Sequence, residues 1–231
     1  MIHLATIRKF RSRNQRSSRW RLASALTSIH QQLESESLGH LSKLVRAIRS
    51  EQMDSKLLAQ AIQIRPFRTE DSLELYYAAR ESSAAICATM TWLRPDYSLK
   101  DAARFVGRSS NEWYSGQRYD FAIVDAMDGN FCGSVGLSQI DRRHRFANVG
   151  FWVRRSRLGQ GIATNAVRLI ADFGLGELQL LRLEFLVARS NLASQRVVNK
   201  VGAKLEGTLR SRLMLPGGQE DAFMYSLIRQ E

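Results

Sequence analysis

From residue 61 onward the chain alternates between two hydrophobic periods. Residues 61–67 (AIQIRPF) alternate apolar and polar and end at Pro66, which predicts a first strand. Thr69-Glu70-Asp71 follows, with a hydroxyl for an N-cap and acids for a first turn. It predicts a helix through Leu73, Leu75, Tyr76 and Ala79, and a second helix is expected over about 99–114. FAIVDA (121–126) and FCGSVGLSQI (131–140) read as strands around MDGN, where Asp128-Gly129 signals a tight hairpin. ANVGFWVR (147–154) reads as another strand, and the helix after it carries Ala163, Val167, Ile170, Ala171 and Phe173. LRLEFLVA (181–188) reads as a buried strand. NLASQRVVNKVG (191–202) reads as a short helix capped by Asn191 and ended by Gly202. Two last strands, about 205–214 and 221–229, flank Pro216-Gly217-Gly218.

This order predicts an α+β class with a mixed, mostly antiparallel twisted sheet and flanking helices. A helix joining two strands implies a parallel pair near the centre of that sheet.

Charge changes the picture only at one end. The net charge is +12, and residues 1–52 carry 10 Lys+Arg against 3 Asp+Glu. The basic excess is therefore mainly a property of the first segment. Residues 1–33 hold seven Lys/Arg and no acid, with frequent serines and no long apolar run. That composition fits a basic arm for nucleic acid or ribosome, a targeting sequence, or a mis-assigned start. Met53 opens MDSKLLAQAIQIRPF, and the whole domain fits after it. The expected organisation is a basic, partly helical extension over 1–60, disordered or preceding a true start at Met53, and one domain over 61–231.

No apolar run approaches a membrane span of roughly 18 residues. Two cysteines, Cys87 and Cys132, fit neither a metal site nor a disulfide framework. Free thiols, a cytoplasmic setting and no metal are the expectation. No nucleic-acid motif lies in the body of the chain, so direct nucleic-acid binding is not expected. The oligomeric state is left at monomer or homodimer.

The chemistry concentrates in RRSRLGQGIATNAV (154–167). Two glycines sit where a helix must nucleate, at an entropic cost. A helix N-terminus offers unpaired N–H groups and positive potential, so a diphosphate can be held there by backbone alone. Gly159 and Gly161 let phosphate oxygens approach, and Arg154, Arg155 and Arg157 are expected to add positive charge. The stretch matches neither GxxxxGK[ST] nor GxGxxG. A plain glycine turn before a core helix is the other reading of the loop alone.

Wider spacing decides between them. GQGIATNA follows a strand ending GFWV, and about thirty residues later comes N-x-x-S-x-x-x-x-x-K-x-G, here Asn191, Ser194, Lys200 and Gly202. Together these resemble the GNAT superfamily of acyl-CoA-dependent N-acyltransferases, over about residues 62–229. IRPF–TEDS, the tryptophan-containing second helical region and the closing Asp221, Tyr225 and Ser226 look most like the Rim-type ribosomal-protein N-terminal acetyltransferase branch.

The resemblance implies that strands 147–154 and 181–188 splay apart and admit acetyl-CoA. Phe151, Trp152 and Val153 would pair their backbone with the pantetheine amides, and the N–H near Val153 would face the thioester oxygen. Backbone N–H groups of Leu158, Gly159, Gln160, Gly161, Ile162, Ala163 and Thr164 would hold the diphosphate. An acceptor amine, on a ribosomal protein N-terminus or a small molecule, would attack the thioester directly. Ser194 would hydrogen-bond the CoA sulfur, and Asn191 the pantetheine or nearby backbone. The resemblance has departures. Leu158 stands where the family usually has Arg or Gln, Asn148 where many members have a glutamate, and no tyrosine follows the N-x-x-S block. Glu184 is then a candidate base, or simply the partner of an arginine such as Arg182. Core packing is expected for Trp92, Trp113 and Trp152. Acceptor choice is expected from residues 70–116 and from loops near 141–146 and 212–220.

Overall fold

The computed structural model describes residues 61–90 and 92–229. The expectations for the basic first segment and for Met53 fall outside the described residues.

Seven strands form one sheet in the order β1-β2-β3-β4-β5-β7-β6. In chain order they are β1 (Ile62–Pro66), β2 (Tyr119–Asp125), β3 (Phe131–Asp141), β4 (Phe146–Val153), β5 (Arg182–Ala188), β6 (Lys204–Leu215) and β7 (Gly218–Ile228). Every pairing is antiparallel except β4 with β5. The helices are α1 (Asp71–Ile86), α2 (Leu99–Ser115), α3 (Ile162–Ala171) and α4 (Leu192–Lys200). The α+β class and the central parallel pair agree with the pattern in the sequence.

Strand alternation sorts the core into two layers. Ala147, Val149 and Val153 of β4 and Leu183, Phe185 and Val187 of β5 pack with Val167 and Ile170 of α3 and Val198 of α4. Ala122, Val124 and Trp152 face the other way, with Leu75 and Ala79 of α1 and Ala102 and Val106 of α2.

Local differences from the sequence reading have identifiable causes. Thr69 is not the cap of α1; Glu70 holds that position without a side-chain hydrogen bond. Asp71 takes over instead, because its buried carboxylate accepts both from Arg65 at 2.7 Å and from the Arg68 N–H at 2.7 Å. That bolts the helix start to β1. In α2, Ser98 and Asp101 form a reciprocal capping box that the segment SLKD encodes. Phe173 does not continue α3. A π-helical turn, Asp172–Glu177, interrupts it, and Phe173 packs against Trp113, Tyr119 and Phe121. A side chain at Gly174 would crowd the methyl groups of Leu183 and Leu137 there, at 3.1 and 3.2 Å. The Asp128-Gly129 hairpin is wider than a two-residue turn, with Gly129 at φ 74°. The last hairpin is the tight one: Leu215 faces Gly218 across Pro216-Gly217.

Candidate functional site

β4 and β5 share only three rungs, Phe146–Arg182, Ala147–Leu183 and Asn148–Glu184. Beyond them each strand keeps its other neighbour. β4 stays on β3 as far as Val153, and β5 stays on β7 as far as Ala188. The two strands thus part, and residues 149–153 present a backbone edge that β5 does not cover. Because the pair is parallel, both strands end on the same side, where α3 and α4 begin. The carboxyl ends of parallel strands are where open sheets place ligands.

At the end of β4 the chain makes a 3-10 turn, Arg155–Arg157, and then reaches the glycines. Gly159 and Gly161 have φ of 78° and 77°, the left-handed region that costs other residues strain. Gly161 is the N-cap of α3 and no side chain caps the helix. The first-turn amides of Ile162, Ala163 and Thr164 are therefore left for another acceptor. Leu158 is exposed, and Gln160 donates to the Ser156 carbonyl at 3.4 Å.

The expected positive charge at this loop is largely cancelled. Arg154 is paired with Glu81 at 2.6 Å, and Arg157 with Asp125 at 2.9 Å. Only Arg155 of the three forms no ion pair among the described residues. The reason is tertiary: α1 packs beside the turn and uses both charge and backbone to hold it. Glu81 also accepts from the Ser156 N–H at 2.6 Å, and Ser82 Oγ accepts from the Arg155 N–H at 2.9 Å. Partial burial opposes ionisation of Glu81, but the hydrogen bonds from Arg154 and Ser156 prevail and hold its pKa at about 2.

Across the gap, Asn191 caps α4: its Oδ1 accepts from the Ser194 N–H at 3.0 Å. Ser194 is half-buried, and its hydroxyl has no hydrogen-bond partner among the described residues. Glu184, at the last shared rung, is engaged by Arg182 at 2.7 Å. The same guanidinium binds Glu206, which also accepts from Ser226 at 2.6 Å. These hydrogen bonds hold Glu206 at about 2 and push Arg182 up. Glu184 is thus one member of an ion-pair network.

On the α1/α2 face, β2, β3 and β4 floor a cleft of about 510 Å³. Its walls come from residues 89–108 and 213–215, and Phe151 and Trp152 line it from β4. None of residues 141–146 lines it, contrary to expectation. That loop is spent on structure: Arg142 donates to the Gly116 carbonyl at 3.1 Å, and Arg145 to Gln179 at 3.0 Å. Trp152 is core, whereas Trp92 is 40% exposed and stands at the cleft beside it, 5.6 Å between centroids.

The sequence reading missed Asp120. It lines the cleft, is 3% exposed and is bound by Arg118 at 2.6 Å. Burial pushes its pKa up, against the hydrogen bond and charge of Arg118. A signal was present. Asp120, Ala122 and Val124 share one face of β2, so an acid occupies an inward position of the alternation. Gly136, directly opposite on β3, makes room for it, since a Cβ there would overlap Asp120 Oδ1.

Such a sheet, opened between two parallel strands beside an uncapped helix N-terminus, defines an acyl-CoA-dependent transferase framework, and comparison with known proteins agrees. Residues 62–204 match the Acetyltransferase (GNAT) domain family, and the chain belongs to this family of N-acetyltransferases. It is 28% identical to Probable N-acetyltransferase YjcK of Bacillus subtilis, over 76% of this chain and 98% of that protein. It is 24% identical to the Ribosomal-protein-serine acetyltransferase of Escherichia coli, over 70% of this chain and 95% of that protein. Its 28% identity to the Escherichia coli Spermidine N(1)-acetyltransferase covers 47% of this chain and 59% of that protein. Among solved structures, Mycobacterium smegmatis RimJ in complex with CoA-disulfide superposes with a TM-score of 0.67 at 25% identity. That match covers 74% of this chain and 83% of RimJ.

Proposed function

We propose that the protein moves an acetyl group from acetyl-CoA to the α-amine of a protein N-terminus, of the ribosomal-protein type. The observation that carries the reading is the parting of β4 from β5 after Asn148–Glu184. It leaves the backbone groups of residues 149–153 that do not pair with β3 free to pair with the amides of a pantetheine arm, as an added strand would. Phe151, Trp152 and Val153 supply that edge. The amides from Leu158 to Thr164, with the left-handed turns at Gly159 and Gly161, suit a diphosphate. These residues fit acetyl-CoA.

When bound, acetyl-CoA supplies a thioester whose carbonyl carbon accepts the amine. The protein's part is to hold both reactants and order the protons. A backbone N–H near Val153 stabilises negative charge on the carbonyl oxygen. Ser194, whose hydroxyl is uncommitted, donates to the departing sulfur. Asn191 fixes the α4 first turn that carries Ser194. The amine gives up one proton as the N–C bond forms and the C–S bond breaks, and the CoA thiolate ends protonated. Glu184, at the last rung shared by β4 and β5, is one carboxylate available to take the amine proton, and Arg182 already holds it at 2.7 Å. Water in the cleft is the other route.

An N-terminal acceptor is favoured by similarity that runs along nearly the whole length of the ribosomal-protein-serine enzyme. A small amine is the second reading, favoured by the shorter match to the spermidine enzyme. We take the setting as cytoplasmic. No helix among the described residues is long and apolar enough to cross a membrane.

The test is calorimetric titration of acetyl-CoA into the full chain, with Gly161→Glu as control, followed by an acceptor screen. Saturable binding lost in the control, and acetylation of peptides bearing a free N-terminus, support the reading. Equal binding by the control refutes the loop assignment. Turnover of small amines alone refutes the N-terminal acceptor.

A further inference from the structure

The cleft carries a charge pattern that selects among acceptors, and this inference rests on reading the cleft as the acceptor site. We infer that it prefers acceptors with negative charge beside the amine, so that among N-termini it takes those followed by acidic residues.

The floor sets the path. Asp120, Gly136 and Gly150 lie in one row across β2, β3 and β4. From Asp120 to the strand that borders the gap is two strand spacings, about 10 Å; the Asp120 carboxylate lies over Gly136, and Gly150 stands open beside the gap. About three residues of extended chain span that length, at roughly 3.3 Å each. A peptide can lie there with its amine at the gap and its next residues along the α2 wall.

That wall is basic. Arg104 and Arg108 stand one turn apart on α2, and Arg94 precedes the helix; all three line the cleft and are 66%, 58% and 61% exposed. Arg94 is 3.4 Å from Asp96 and Arg108 is 3.6 Å from Glu112. Both distances exceed a charge-assisted hydrogen bond, so both guanidiniums keep donors to offer. The carboxylates of the lining are already engaged. Asp101 accepts from the backbone and hydroxyl of Ser98 and from Arg104, and Asp120 is held by Arg118. The lining bears four arginines against these two aspartates. A polycation entering it is repelled, and an acidic segment is attracted. The facing wall, Leu213 to Leu215, adds no charge.

The experiment uses the full chain at saturating acetyl-CoA and reads thiol release. Two peptides share a free N-terminal serine and continue with three acidic or three lysine residues. Glutamate and spermidine serve as small amines. At low salt the acidic peptide is expected to lead in kcat/KM by about tenfold, through KM, with the lead shrinking as salt rises. Arg104→Ala with Arg108→Ala is expected to cut that lead about threefold or more, while Lys at both positions keeps most of it. Equal kcat/KM for the two peptides, or a lead untouched by the alanine pair, overturns the inference while the N-terminal reading stands. If no peptide reacts but small amines do, the N-terminal reading fails alone. Glutamate against spermidine then decides the charge preference, and a better rate with spermidine overturns it.

Discussion

Glu81 in α1 and Arg154 at the end of β4 are joined at 2.6 Å, although 73 residues separate them in sequence. Through the second carboxylate oxygen, Glu81 also holds the Ser156 N–H. α1, which lends Leu75 to the cleft, thereby fixes the turn leading into the glycine loop. Glu81→Gln is expected to raise KM for acetyl-CoA several-fold, with a smaller effect on KM for the acceptor. Steady-state kinetics varying each substrate checks it.

The same pair sets a dependence on pH. The Glu81 pKa lies at about 2, below its ordinary value of 4.5. A depressed carboxylate pKa adds stability above the unfolded value, and that stability is lost as pH falls toward the folded one. The gap in urea stability between wild type and Glu81→Gln is therefore expected to be full at neutral pH and to close between about 4.5 and 2. A gap that persists at pH 2 contradicts the assignment.

Gly161→Ala tests the loop without adding charge. Alanine at φ 77° costs about 1–2 kcal/mol of backbone strain. A modest fall in Tm with a large loss of acetyl-CoA affinity is expected, read by thermal melts and calorimetry. A fall in Tm with unchanged affinity would mean the turn serves the fold alone.

Asn191 and Ser194 separate by their readouts. Asn191→Ala removes a helix cap and is expected to cost about 1 kcal/mol of stability. Ser194→Ala leaves the cap in place, because the cap uses its N–H, and is expected to lower kcat with little change in Tm.

Asp120 carries the opposite sign from Glu81. Its pKa is raised by burial, so ionising it as pH rises costs the folded state stability. Asp120→Asn is expected to gain on wild type in urea stability as pH climbs from below about 4 through the raised pKa. Paired melts across that range check the direction.

Local pattern carried much of this molecule. The strands and helices around Gly159 and Gly161, the Asn191 cap and the parallel pair all follow from short spacings. What stayed hidden depends on distant partners. Arg154 and Arg157 look like free charge in sequence, and only packing reveals Glu81 and Asp125 beside them. Phe173 fits the helical period, yet the chain turns π-helical there, where Gly174 lies against Leu183 and Leu137. Asp120 was visible as an acid on an inward strand position, but the opposing Gly136 that admits it lies on another strand.

The parting of β4 and β5 has a consequence for the edges of the sheet. Exposed strand edges template pairing with other chains, and sheets usually meet that hazard at their outer strands. Here an open edge lies in the middle of the sheet, between elements that must not close on it. The glycine turn bounds that edge at one end and the three shared rungs bound it at the other. Acetyl-CoA bound along that edge, as proposed, would complete the ladder, and the co-substrate would double as a missing piece of the protein's own architecture.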